Sequence, residues 1–153
     1  MKRIILIVLS FVPLIMGQFY NAVATNTVLT TTGITLLSLS FLVLWFLVGV
    51  TSIKLTHSLK ESIIYSHAIG LVFLLLGFIQ TAVLKEFIAG GIGYMTQLYF
   101  LPVVRIGSLV ESKILFFAST HYMFPITFVS FALMIFMYTL GYKVAENRRQ
   151  VRA

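Results

Sequence analysis

The chain has no cysteine and no aspartate, and charge is scarce: 10% of its 153 residues are Asp, Glu, Lys or Arg, against roughly 25% in soluble domains. Without cysteine there is no disulfide, thiolate metal site, iron–sulfur cluster or thiol redox chemistry. Without aspartate, two-aspartate intramembrane proteolysis and aspartate-rich, metal-dependent lipid transfer are excluded. Short catalytic signatures are missing as well. There is no HExxH helix, no phosphate-binding glycine loop with Lys and Ser or Thr, and no Gly-x-Ser-x-Gly elbow.

What is present is apolar. Hydrophobic residues make up 59% of the chain and the mean hydropathy is +1.04. Long apolar runs recur, and each membrane-crossing helix consumes about 20 residues, so no segment is left for a water-soluble domain. The expected fold is all-α: a single membrane domain over 1–153, an integral four-helix bundle with spans at about 4–24, 34–53, 63–84 and 123–142, and a basic cytoplasmic tail at 143–153. The first run follows Met1, Lys2 and Arg3 like a signal peptide, but its length predicts an uncleaved span. Pro13 is expected to kink it, and Pro125 to sit in the first turn of the last span.

The stretch between the third and last spans is harder to read. Residues 87–104 carry Gly90, Gly91, Gly93 and Pro102, which make a poor straight helix. From 103 onward, Val103, Ile106, Val110, Ile114 and Phe117 share one helical face, and Arg105, Ser108, Glu111 and Ser112 the other. This predicts an interfacial or re-entrant segment at about 87–118: a glycine-broken connector, then an amphipathic helix lying in the membrane interface. Gly90 to Tyr94 reads as a flexible turn rather than a carbonyl-lined ion filter, which needs several copies around an axis.

Charge supports that topology. Four spans put Lys2, Arg3, Lys54, Lys60, Lys143, Arg148, Arg149 and Arg152 on one side, against Lys85, Arg105 and Lys113 on the other. A span at 87–104 would move Arg105, Lys113 and the tail across and nearly erase the asymmetry. The positive-inside rule therefore favours four spans with both termini cytoplasmic, in a multi-pass plasma membrane protein. Compactness and the short charged N-terminus suggest a bacterial one. The basic excess, +7 in net charge, is spread as topology signals rather than clustered as in nucleic-acid binders. The partners expected are the lipid bilayer and another membrane protein or a second copy, with no nucleic acid.

The layout resembles, in topology alone, the four-helix quinone-reducing disulfide oxidoreductases, which also place a horizontal helix before the last span. It also resembles the tetraspanin arrangement of one short and one longer outer loop. Both families depend on cysteines that this chain lacks, so neither activity carries over, and no family is identified.

Ionisable groups at depth are the usual mark of intramembrane chemistry. His67, one turn into the third span, is the only ionisable group expected inside a span, and it reads as a histidine bonded to Ser66, backbone or water. His57 and Glu61 share a helical spacing but are too few for a metal site; no metal and no cofactor is expected. A second polar set gathers at the non-cytoplasmic side. The set is Gln18, Tyr20, Gln80, Glu86, Arg105, Glu111, His121 and Tyr122: Arg105 would bind an anionic group, Glu111 or His121 would transfer protons, and Gln18, Gln80, Glu86 and Tyr122 would contact a ligand. The plainer reading of the same residues is a hydrated membrane boundary. Small residues, Ser66, Gly70, Gly77 and Thr81, form a helix-packing stripe on the third span, with similar stripes on the second and last.

The function expected from this pattern is a non-enzymatic accessory subunit or regulator of a larger membrane assembly. The alternatives are an oligomeric transporter or binder of an uncharged or lipid-like ligand, and a lipid-modifying enzyme using the outer polar set.

Overall fold

The computed structural model describes residues 2–26, 30–56, 58–84, 90–114 and 123–151. These are helical nearly throughout, with no strand among them. Helix α1 (Lys2–Leu9) and α2 (Val12–Asn26) form one interrupted rod. The interruption falls at Ser10 and Phe11, because Pro13 has no N–H to bond the Leu9 carbonyl and its ring crowds that position. Helix α3 (Thr31–Ser52) starts at a Thr30 cap whose hydroxyl accepts the Gly33 N–H, 3.2 Å. Helix α4 (Leu59–Ser66) is capped by Ser58 in the same way, through the Glu61 N–H. Helix α5 (Ala68–Phe78) follows after His67 at an angle of 56° and runs into a π-helical turn, Ile79–Val83. Helix α6 spans Gly91–Ile114, and α7 spans Met123–Gln150.

Three stretches are long and apolar enough to cross a membrane: Arg3–Asn26, Thr31–Ser52 and Phe124–Gln150. The bent pair Leu59–Ser66 and Ala68–Thr81 is a fourth if counted as one broken span. The surface agrees with that reading. Ile4, Val8, Ile15, Val43, Leu47, Leu71, Leu75 and Phe136 all point outward, an apolar belt far beyond what a water-soluble monomer exposes.

The backbones of α3 and α7 meet along a close seam. A Cβ on Gly49 would collide with the Tyr138 carbonyl, and one on Gly141 with the Phe46 carbonyl. Glycine is what permits that approach where lipid supplies no hydrophobic drive between helices. Around the seam pack Phe41, Trp45, Met134 and Tyr138, all nearly fully buried.

The third span and the segment after it differ from the sequence-based expectation. The third helix starts at Leu59 rather than near 63 and breaks at His67. In place of a connector at 87–101 and an interfacial helix from 103, the described residues form one continuous helix, α6, through Pro102. Packing is the physical reason. Leu98, Tyr99, Phe100 and Val103 are buried inside the bundle, against α2, α3, α5 and α7. The Leu98 carbonyl, which Pro102 has no N–H to bond, lies against Gly17 of α2. Neighbouring helices and local adjustment let membrane proteins tolerate such prolines.

The contacts of α6 fall on one end of the bundle: Gly17, Gln18 and Asn21 on α2, and Ile126 and Ser130 on α7. At the opposite end Arg3 pairs with Glu61, and α4 meets both α1 and α7.

Candidate functional site

Where α2, α3 and α6 meet, packing is incomplete. From α3 come Ile34, Leu37 and Ser38, at the i, i+3, i+4 spacing of a single helical face. From α6 come Leu101, Val104, Arg105 and Ser108, again one face. Tyr20 and Ala24 close the side from α2. Between them lies a half-open pocket of about 320 Å³, at the small end of ligand sites, which run from roughly 300 to 1,000 Å³. The Tyr20 hydroxyl does not face it freely, because it donates to the Leu37 carbonyl at 2.7 Å and so ties α2 to α3.

Among the described residues Gln80, Tyr99 and Arg105 each have a buried polar atom without a hydrogen-bond partner, and Arg105 is the charged one. Its Nε is buried with no hydrogen-bond partner, and its side chain makes no ion pair among the described residues. A buried donor left unmet costs roughly 1–3 kcal/mol, and more when charged. Ser108 gives no relief, since its hydroxyl donates to the Arg105 main-chain carbonyl at 3.0 Å. Among the described residues no other charged side chain lines the pocket, so one positive charge stands at a largely apolar cavity.

A second buried polar group sits at the α4–α5 break, and it is fully satisfied. His67 Nε2 accepts the Trp45 indole N–H at 3.1 Å. Indole can only donate, so the imidazole is neutral with its proton on Nδ1. That proton reaches the Ser66 hydroxyl oxygen, 2.8 Å, and the Ile63 carbonyl, 3.1 Å. Ser66 passes its own proton to the Ser62 carbonyl, 2.8 Å, and the Ser62 and Tyr138 hydroxyls meet at 2.6 Å. The rings of Trp45, Phe131 and Tyr138 stand edge-on to the imidazole. The result is a closed polar chain with every donor and acceptor placed, which fixes the bend rather than offering a reactive group. The sequence placed His67 beside Ser66, backbone or water, and the fold buries it to 3% exposure.

The described members of the outer polar set lie at separate places, except that Tyr20 and Arg105 share the pocket. Gln18 lies apart, accepting the Tyr94 hydroxyl at 3.3 Å, and Asn21 donates to the same hydroxyl. Gln80 is buried in the π-helical turn with its Nε2 unpartnered. Glu111 is half-buried, further along α6, and does not line the pocket. Glu86, His121 and Tyr122 lie outside the described residues, as does His57. In the small-residue stripe, Ser66 and Gly70 are buried, Gly70 against Phe131 and Tyr99. Gly77 faces the Thr96 methyl, and Thr81 bonds back to the Gly77 carbonyl. Among the described residues no three His, Cys, Asp or Glu side chains are placed to hold a metal ion.

Sequence reading found Arg105 but not its apolar company. One signal was available. Val104 interrupts the polar face that carries Arg105 and Ser108, and it lines the pocket next to both. On that face Arg105 and Ser108 are half-buried and Ser112 is exposed. No protein-family model, curated protein or solved structure matches the chain.

Proposed function

We propose that this protein is a membrane-embedded binder of a lipid-like molecule, held in the pocket between α2, α3 and α6. The observation that carries the reading is a largely apolar pocket with an unpartnered arginine, in a bundle whose surface is itself apolar. The chain then crosses a plasma membrane four times, with α4 and α5 as one broken span. Both termini are cytoplasmic in this reading, which the gathering of Arg3, Lys54, Lys60 and Lys143 toward one end supports. The pocket opens near the other end, beside the last turn of α2 and the first of α3.

The test is purification of the whole chain in a gentle non-ionic detergent, followed by mass spectrometry of everything retained. A lipid or small amphiphile at one copy per chain, lost in a Leu37→Trp variant that fills the pocket, supports the reading. A chain with no bound small molecule, from membranes and in nanodiscs alike, sinks it.

A second reading is the accessory subunit of a larger membrane assembly. Its support is α7, which continues as an exposed basic helix through Arg148 and Arg149 to Gln150, a rigid extension available to a partner. A foreign subunit retained in stoichiometric yield, with the pocket empty, would favour it.

A further inference from the structure

We infer that the molecule taken up between α2, α3 and α6 is an anionic amphiphile: a single hydrocarbon chain ending in a carboxylate or a phosphate monoester, with Arg105 as its counter-ion. The inference rests on the proposal of a lipid-like ligand and adds the charge of its headgroup.

Among the basic side chains described, Arg105 alone is not exposed. Arg3 and Lys143 each have a glutamate partner, whereas Arg105 has none and its Nε is buried. No described residue compensates the guanidinium, and an anionic ligand would. Arginine suits carboxylate and phosphate in particular, because its planar fork offers two parallel N–H donors to either. Besides Ser38, and Tyr20 and Ser108 whose hydroxyls donate to backbone carbonyls, the wall is Ala24, Ile34, Leu37, Leu101 and Val104, which fits hydrocarbon. About 320 Å³ holds a headgroup and the start of one chain, the rest leaving by the open side. Position agrees as well. Ala24 is two residues from the end of α2, and Ile34 is three residues past the start of α3, so the site sits near the level where headgroups lie.

The test uses the full chain in phosphatidylcholine nanodiscs, with palmitate, hexadecyl phosphate and uncharged hexadecanol as competing probes. Wild type should bind one or both acids at least about tenfold tighter than hexadecanol, a difference worth about 1.4 kcal/mol. Arg105→Met should erase that preference and keep hexadecanol binding, which also shows that the variant is folded. Arg105→Lys should keep part of it. Palmitate and hexadecyl phosphate separate a carboxylate ligand from a phosphate one. Equal binding of acid and alcohol by wild type, with both lost in Leu37→Trp, overturns the inference and leaves the lipid-like pocket standing. Inorganic phosphate competing as well as hexadecyl phosphate also overturns it, since the chain would contribute nothing. Failure of all three probes to bind removes the lipid-like reading itself.

Discussion

Helix α3 takes part in two very different regions. Its second half is sealed: Gly49 lets the α7 backbone touch it, and the Trp45 indole N–H is met by His67. Its first half borders a cavity, where Ile34, Leu37 and Ser38 face α6 across open space and Arg105 has no partner. The first half is the less apolar, carrying Thr31, Thr32, Thr35, Ser38 and Ser40, but that difference alone does not tell a structural polar group from a binding one. Completeness does. A buried polar group whose partners are all supplied by the fold is a structural element, as at His67. One whose partner is missing beside a cavity leaves room for a ligand to supply it, as at Arg105.

The comparison can be broken from the sealed side first. Gly49→Leu forces a side chain into the Tyr138 carbonyl, and we expect a loss of about 3 kcal/mol, the upper part of the usual overpacking range. Thermal unfolding in detergent, followed by Trp45 fluorescence, reads it; an unchanged midpoint would show that the seam is loose. Trp45→Phe should cost less, about 2 kcal/mol, by leaving His67 Nε2 without its donor in a buried site. Nitrogen NMR of the imidazole should then show the fixed Nδ1–H tautomer giving way to a mixture. Persistence of a single tautomer would mean that Ser66 and Ile63 hold it alone.

On the open side the sign should reverse. Arg105→Met removes an unpaired charge, and the ligand-free protein should be unchanged or about 1 kcal/mol more stable, as replacement of buried ionic groups by apolar ones often is. A marked loss of stability would instead make Arg105 part of the scaffold. The smallest effect belongs to Arg3→Gln. Its bond to Glu61, 2.5 Å, lies at the surface, where such pairs contribute little. Its unfolding curve should overlay that of wild type, and a separable curve would show that the α1–α4 contact depends on charge.

Some of this was legible in the residue order. The apolar runs place α2, α3 and α7, and Pro13 marks the break in the first rod. The course of α6 was not legible, because Gly90, Gly91, Gly93 and Pro102 all argue locally against a helix. What outweighs them, burial of Leu98 to Phe100 and of Val103 among other helices, is a long-range effect that local pattern cannot carry. The bend at His67 was hidden for the same reason, since its partner Trp45 is 22 residues away.

By itself, the sequence determined that this protein is helical and apolar enough to cross a membrane, because hydrocarbon requires long runs without charge and a backbone bonded within each run. It also determined the chemistry that is out of reach, since no cysteine and no aspartate exist to perform it. Tertiary structure alone decided which polar groups are finished and which are not. Whether His67 or Arg105 finds a partner depends on residues brought together from separate helices, and only packing sets those distances.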